Sequence, residues 1–221
     1  MGLGLNAQQV RAALAASWYM PDENELQERV FLAFAASSSI WADWAGAVNN
    51  TIALLAKTIA KYQPVTVLCR PAQLAQAKSK CGTRNIRFIS VALDDIWMRD
   101  YGGCFVVDDQ GGRGLVDFNF NGWGNKQAHA NDTLVADELS YQTNATYISS
   151  QLTGEGGGIE IDGFGTAIIT ESCWVNSNRN PGWTRAQIEA ELKANLGLRK
   201  IIWLPGIKDK DITDAHVDFY A

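Results

Sequence analysis

The stretch Glu155–Thr170, EGGGIEIDGFGTAIIT, carries the clearest structural pattern in the chain. Two short apolar and β-branched runs, Ile159–Ile161 and Thr166–Thr170, flank Asp162–Gly165, and this arrangement predicts a β-hairpin. Three consecutive glycines precede the hairpin, and glycine lets a backbone approach a ligand closely or adopt positive φ angles. Glu155 stands among these glycines with little side-chain cover, which makes it a candidate functional carboxylate; a flexible loop explains the same pattern.

Strand-like and helix-like segments alternate on both sides of this hairpin. Further predicted strands are Arg29–Ala35, Val65–Cys69, Ile86–Val91, Phe105–Asp108, Gly114–Phe120 and Lys200–Leu204. Helical spacing predicts helices at Trp41–Tyr62, Pro71–Lys80, Leu134–Tyr141 and Thr184–Leu196. Thr184 and Gln187 form a capping-box signature at the start of the last helix, and Gly197 suits its end. The alternation predicts a mixed α/β fold in one domain, because neither an internal repeat nor a linker is visible.

Composition excludes several classes of protein. The 221 residues are 47% hydrophobic and 19% charged, which is typical of a folded domain with one sizeable core. The net charge of −5 and the lack of a basic run argue against nucleic acid or an anionic membrane as partner. No apolar run is long enough to span a bilayer. Residues 1–17 are rich in alanine but lack the basic and apolar regions of a secretion signal.

The positions of the four cysteines bear on the cellular compartment of the protein. They stand at positions 69, 81, 104 and 173, without a C-x-x-C motif or zinc-finger spacing. Buried thiols in a reducing environment are the simplest interpretation, so a cytoplasmic location is expected. An exported form whose signal has been removed is the alternative.

Asp94–Gly103 is a second candidate site segment. It contains three carboxylates, Trp97 and Arg99 at the end of a predicted strand, and it finishes with two glycines. This composition suits the rim of a pocket. A solvated acidic loop with Arg99 as its internal counter-ion accounts for the same residues, because charged turns are common.

The third candidate segment is Thr213–Asp218. In an extended chain, residues two apart share a face, so Asp214, His216 and Asp218 are expected to point the same way. A histidine beside carboxylates has a raised pKa and can act as a general acid and base near neutral pH; a structural histidine is the alternative. The amide-rich segment Asn176–Pro181 is interpreted as a structural turn without a catalytic role.

In this order, six segments resemble motifs of the agmatine deiminase family, which includes the bacterial-type (Porphyromonas-type) peptidylarginine deiminases. They are YMPDE at 19–23, DDIWMRDYG at 94–102, FNFNGWGNK at 118–126, EGGGIEIDGFGT at 155–166, NRNP at 178–181 and DITDAHVD at 211–218. Gly103 stands where the family usually has proline, and Ala215 where it usually has glycine. We expect modest loop changes from both departures. The family's G-G-G-N-x-H-C segment, which carries the nucleophilic cysteine, has no counterpart in these residues.

The resemblance implies a pentein fold, an α/β propeller of five ββαβ-like units around a pseudo-fivefold axis. The chain would supply about three of these five units, and a chain of this length can form one sizeable core. Residues 1–221 are therefore expected to be a single pentein catalytic domain, truncated before the units that bear the nucleophile.

The resemblance also implies roles for five residues. Asp100 and Asp218 would grip a guanidinium through charge-assisted hydrogen bonds, and Trp97 would form a wall against the substrate. Glu155 would contact the guanidinium and orient His216, the general acid and base. The expected reaction converts agmatine to N-carbamoylputrescine and ammonia without metal or cofactor. A homodimer is possible within the family.

Three alternatives remain open at the level of sequence. In the first, the substrate is arginine or peptidylarginine. In the second, the chain is a catalytically inactive pentein that only binds. In the third, the protein is a metal hydrolase whose ligands are His216, Asp218, Asp100 and Glu155. None of the four cysteines is expected to be the nucleophile. Cys104 is the least implausible of them, because it follows the Asp100 motif closely.

Overall fold

The computed structural model describes residues 18–220, so the alanine-rich residues 1–17 lie outside the described chain. The chain divides into two compact units. The first contains the residues up to Glu23, Arg99–Gln127 and the residues from Ala136 onward; the second contains Asn24–Met98 and Ala128–Val135. Within residues 18–220, no helix has the length and apolar character that crossing a membrane requires.

The second unit is built on a parallel sheet. Its strands, in spatial order, are β1 (Val30–Phe34), β2 (Val65–Cys69) and β3 (Ile86–Ser90). Parallel neighbours need crossover connections, which here contain α1 (Ala45–Ile59) and α2 (Leu74–Cys81). β2 is buried along its whole length, as expected for a central parallel strand. Single helical turns in this unit span Ser38–Trp41, Ala42–Trp44, Pro71–Gln73 and Asp132–Leu134.

The first unit contains two sheets with the same plan. The first sheet contains β4 (Cys104–Val107), β5 (Arg113–Asp117) and β6 (Thr146–Ser149), and the second β7 (Ile159–Ile161), β8 (Thr166–Thr170) and β9 (Lys200–Leu204). In each, an antiparallel hairpin is followed by a helix and by a third strand parallel to the second. The helices are α3 (Val135–Thr143) and α4 (Arg185–Leu196). The ββαβ plan therefore repeats, although no repeat is visible in the sequence, because turn and crossover lengths set the plan rather than residue identity.

Trp174 lies at the centre of the first unit and fixes the glycine-rich segment. Its ring is fully buried, packs edge-on against Phe118 and donates Nε1–H to the Gly158 carbonyl at 3.0 Å. A Cβ on Gly154 would collide with the same ring. Glycine at these two positions lets the segment pass close to the indole, and this packing fixes the backbone on either side of Glu155.

Most predicted elements are confirmed with small shifts at their ends. The capping box of α4 forms between Thr184 and Gln187, and Gly197 ends the helix at φ 67°. The helix predicted at Trp41–Tyr62 begins later, at Ala45, because Ala42 takes φ 46° and interrupts it. β6 was not predicted, since this short strand is largely exposed and lacks an alternating apolar face.

The remaining short elements lie in the loops of the first unit, except that Met98 is assigned to the second. Single helical turns span Met98–Tyr101, Gly122–Asn125, Gly156–Gly158, Glu171–Trp174 and Val217–Phe219. Gly103 has a φ of 74°, and a Cβ there would lie 2.5 Å from Leu115 Cδ2. Proline is locked near φ −65°, so the family's usual proline is incompatible with this backbone. The backbone at position 103 therefore has a conformation that glycine allows and proline does not.

Candidate active site

Three polar side chains of the first unit surround Gly157. A Cβ built on this glycine would lie 2.6 Å from His216 Nδ1, 2.7 Å from Asp100 Oδ1 and 2.8 Å from Asp218 Oδ2. These contacts are shorter than a real Cβ tolerates, so only glycine leaves room for the three atoms. Three segments that are distant in sequence therefore converge on one point. Glu155 is two residues from that point and contacts His216 directly.

Asp100 is held rigidly by two donors. Trp123 donates Nε1–H to its Oδ2 at 3.0 Å, and the Gly157 N–H donates to its Oδ1 at 3.2 Å. Only 8% of the residue is exposed. Burial raises the pKa of Asp100 to about 6, and the Glu155 charge adds to the rise, although His216 and the two hydrogen bonds oppose it. Asp100 is therefore a fixed carboxylate that ionises within the physiological range.

His216 lies between two carboxylates. Its Nε2 is 3.1 Å from Glu155 Oε2, and its Nδ1 is 3.6 Å from Asp100 Oδ1. Burial alone lowers its pKa, but the Glu155 hydrogen bond and the Asp100 charge outweigh burial and raise it. The imidazolium is therefore favoured, with Nε2–H bound to Glu155 and Nδ1–H facing the side of Asp100 and Asp218.

Glu155 is fully buried and its oxygens are already occupied. Arg179 donates Nε–H to Oε1 at 2.8 Å and to Oε2 at 3.0 Å, while Oε2 also faces His216. Burial raises the pKa of Glu155, but the His216 hydrogen bond and the Arg179 charge outweigh burial and lower it. Glu155 is thus an ionised partner of His216 that shares its charge with an internal guanidinium.

The expected orientation of Asp214 is wrong. The segment before His216 is a series of turns, and Asp214 and Ala215 have φ angles of 62° and 69°. These left-handed residues turn Asp214 away from His216, towards Arg179 and Lys126. The prediction failed because it assumed an extended chain. The φ of Ala215 also explains why glycine suits this position in the resembling family.

Two contributors were missed by the sequence interpretation. Segment 176–181 was taken as a structural turn only, yet Arg179 is the direct partner of Glu155, and Asn180 fixes the backbone of Thr153 through two hydrogen bonds of 2.9 and 3.0 Å. Trp123 was noted within a motif but given no role, and it holds Asp100. A charged residue within an amide-rich turn was the available signal for Arg179, since a buried guanidinium requires carboxylate partners.

Trp97 lies in the second unit. It stacks on Trp41 with ring centroids 6.1 Å apart, and the indole N–H groups of Trp41 and Trp97 donate to Asp95 at 2.6 and 2.8 Å. The residue is 41% exposed. Asp95 therefore fixes the orientation of both rings. The expected role of Trp97 as a wall for the substrate stays a prediction.

The four cysteines are poorly suited to nucleophilic attack. All are free and buried. Burial is the main cause that raises their thiol pKa values, to about 12 for Cys104 and about 11 for Cys81. The pKa values of Cys69 and Cys173 are raised as well, again chiefly by burial. Reactive cysteines need the opposite environment, one that favours the thiolate.

Among residues 18–220, one group of side chains has ligand atoms close enough to hold a metal ion. Single ligand atoms of Glu155, Cys173 and His216 lie within 4.8 Å of one another. The Arg179 guanidinium, however, already binds both Glu155 oxygens, and its charge would repel a divalent ion. We therefore do not assign these three residues as metal ligands.

The first unit thus defines a class of site, in which several carboxylates and one buried histidine converge within an α/β framework. The model of the Porphyromonas-type peptidyl-arginine deiminase family matches residues 19–221. An agmatine deiminase of Stutzerimonas stutzeri is 37% identical over 210 residues, covering 92% of this chain and 57% of that protein. One from Pseudomonas aeruginosa (strain LESB58) is 36% identical over 213 residues, covering 94% and 58%. The chain therefore belongs to the Porphyromonas-type peptidyl-arginine deiminase family.

Solved structures agree with this assignment. An agmatine deiminase of Enterococcus faecalis superposes with a TM-score of 0.87 at 29% identity, covering 91% of this chain and 57% of its own. A C. jejuni agmatine deiminase variant solved with substrate bound gives 0.77 at 25% identity, covering 99% and 63%. The present chain spans somewhat over half the length of the curated relatives it matches, at 57–58% for the two described above.

Proposed function

We propose that this chain supplies the carboxylate–histidine part of a guanidine deiminase, which converts agmatine and water to N-carbamoylputrescine and ammonia. The convergence of Asp100, His216 and Asp218 around Gly157 carries this proposal. A guanidinium is planar, permanently charged and rich in N–H donors, so it suits carboxylates that approach from separate loops. Agmatine is preferred over arginyl substrates because the matched curated relatives described above are agmatine deiminases.

In the proposed first step, Asp100 and Asp218 accept N–H bonds from the guanidinium and fix its plane. Asp100 accepts one hydrogen bond from the protein at each carboxylate oxygen, so further lone pairs on these oxygens are available to the substrate. A cysteine thiolate then attacks the central carbon. The four buried thiols of this chain are unsuited to that attack, so we propose that another cysteine provides it. Trp97 is proposed to lie along the aliphatic part of the substrate.

The proposed acid–base chemistry runs through Nδ1 of His216. Its Nε2–H is held by Glu155, so Nδ1–H is the proton directed towards the carboxylates that bind substrate. This proton passes to the departing nitrogen, and ammonia leaves the tetrahedral adduct. The neutral Nδ1 next accepts a proton from water, which attacks the thiouronium carbon. Collapse of the second adduct forms the C=O bond of the ureido product, breaks the C–S bond to release the thiolate, and gives the hydroxyl proton to solvent, where ammonia takes it up as ammonium.

Ammonia release is the test of this function. The complete gene product should release ammonia from agmatine, and its kcat/KM for agmatine should exceed those for arginine and for an arginyl peptide. Preference for the peptide would instead favour a peptidylarginine deiminase. Binding of agmatine without ammonia release would favour an inactive binding module. Absence of both would refute a guanidine site.

Binding of agmatine should weaken as pH falls through the pKa of Asp100. The carboxylate grips a cation only when ionised, and its pKa lies near about 6. The dissociation constant is therefore expected to rise about tenfold for each pH unit below that value. Calorimetric titration of the complete protein with agmatine, between about pH 4.5 and about pH 8, measures this dependence. An affinity that stays constant down to the lower limit would contradict the proposed role of Asp100.

We further propose that the three described sheets are units of one pentein catalytic domain. The repeated ββαβ plan of β4–β6 and β7–β9 supports this. The four unpaired thiols support a reducing, cytoplasmic environment. We propose a small guanidino compound as the partner of the site, with a homodimer as the assembly; sedimentation velocity of the complete protein would test the latter.

A further inference from the structure

The strongest unexplained feature is a buried arginine behind the candidate site. Arg179 has a fully buried side chain, and its guanidinium contacts four separate groups, one of which is Asn178 Oδ1 at 3.1 Å. Nε binds Glu155, one terminal nitrogen binds Asp214 Oδ2 at 2.8 Å, and the other binds the Thr213 carbonyl at 2.9 Å. The arginine therefore ties the Glu155 loop to the segment that carries His216.

Charges alternate along a continuous path through this arginine. Lys126 donates to Asp214 Oδ1 at 2.8 Å, Asp214 binds Arg179, and Arg179 binds Glu155, which faces His216. Lys126 is 27% exposed, whereas the Asp214 and Glu155 side chains are fully buried. These two buried carboxylates are thus each paired with a cation, which favours their ionised forms.

We infer that Arg179 is a positioning residue for the proposed deiminase: it keeps Glu155 ionised and in place, and through Glu155 it sets the orientation and proton affinity of His216. Arg179 has no direct contact with Asp100 or Asp218 among its described hydrogen bonds and ion pairs. It therefore acts on the histidine rather than on the carboxylates that grip substrate. The catalytic part of this inference rests on the proposed function.

The charged surroundings of His216 fix the direction of the effect. The titratable and charged groups near His216 and its partner are Glu155, Asp100, Asp218, Asp211, Cys173, Arg179 and Asp214. Arg179 is the cation bound to Glu155, and a nearby cation disfavours protonation of its neighbours. Its removal should make the Glu155–His216 pair bind protons more tightly. Both titration steps of the pair therefore move to higher pH.

Histidine NMR tests this inference without any catalytic assay. The chain has two histidines, so the imidazole signals of His216 and His129 can be followed separately against pH, with His129→Gln for assignment. Arg179→Gln should raise the pKa of His216 by at least about one pH unit. Arg179→Lys keeps the charge but cannot span four partners, so a smaller rise is expected. Arg185→Gln is the matched control, because Arg185 is half exposed and pairs with Glu171 at the surface.

Steady-state kinetics of the complete protein form the second readout. Arg179→Lys should lower kcat for agmatine at least about tenfold while KM changes less than about threefold, because the groups that grip substrate are untouched. Arg185→Lys should match the unmodified protein. If Arg179→Gln fails to fold, Arg179→Lys still gives both readouts.

The outcomes separate this inference from the proposed function. An unchanged pKa of His216 in both Arg179 variants would overturn the inference, as would an unchanged kcat in an active enzyme. A lowered pKa would show that Glu155 had left His216 and would support the positioning role. An unmodified complete protein that releases no ammonia would instead refute the proposed function, and the NMR titration would still decide whether Arg179 governs His216.

Discussion

Replacement of His216 by glutamine in the complete protein is expected to lower kcat for ammonia release by about 10²–10⁴-fold, the usual contribution of a general acid and base. Glutamine fills a similar space and can bond to Glu155, but it cannot donate and recover a proton at neutral pH. KM for agmatine should not rise, because the loss of a positive charge beside Asp100 favours a bound cation. Initial rates of ammonia release against agmatine concentration measure both constants.

The second histidine of the chain provides the control. His129 lies in the second unit, outside the cluster around Gly157. His129→Gln should therefore leave kcat and KM close to those of the unmodified protein. Retention of more than about a tenth of kcat by His216→Gln would fall short of the expected range and would exclude His216 as the general acid and base.

The fold was largely predictable because local patterns and tertiary structure agree. The hairpin of β7 and β8 follows from two β-branched runs around a glycine-containing turn. Helix α4 carries its own start and stop signals, and both are used. β6 was missed because its short, exposed sequence has no periodicity, and its position depends on pairing with β5. Pairing between distant strands is not encoded in a local pattern.

The site was only partly predictable, for a related reason. Asp100, Glu155, His216 and Asp218 were identified as candidates, and the structure brings all four together in one unit. Their supporting groups were not identified. Whether a polar residue belongs to a turn or to a site depends on the residues that it contacts. These contacts join residues that are far apart in sequence, since Arg179 and Glu155 are 24 positions apart.

The orientation of Asp214 shows how backbone conformation decides which residues face a site. Two consecutive left-handed residues at 214 and 215 reverse the direction that an extended chain would give. The carboxylate consequently stabilises Arg179 instead of joining Asp218. The three carboxylates of residues 211–218 therefore have different surroundings. Asp218 lies in the candidate site, Asp214 supports the site through Arg179, and Asp211 binds backbone N–H groups of its own turn.

The same dependence on backbone makes Gly157 the most sensitive small residue of the site. It contributes no side chain, yet its N–H binds Asp100, and the space above its Cα is occupied by the three converging polar atoms. A substitution at Gly157 changes the geometry of the cluster but replaces none of its charged or titratable side chains. It therefore tests whether the proposed chemistry depends on the placement of these groups.

Gly157→Ala in the complete protein is expected to lower kcat/KM for agmatine at least about 100-fold, since a displacement of about 1 Å costs this much in a preorganised site. The new methyl would lie 2.6–2.8 Å from His216, Asp100 and Asp218, so all three must move. Gly46→Ala is the control, because nothing lies within 4 Å of a Cβ there, and it should keep full activity. Comparing kcat/KM and the thermal unfolding midpoint of both variants separates misplacement from unfolding. Unimpaired turnover by Gly157→Ala would mean that the reaction does not take place between these side chains.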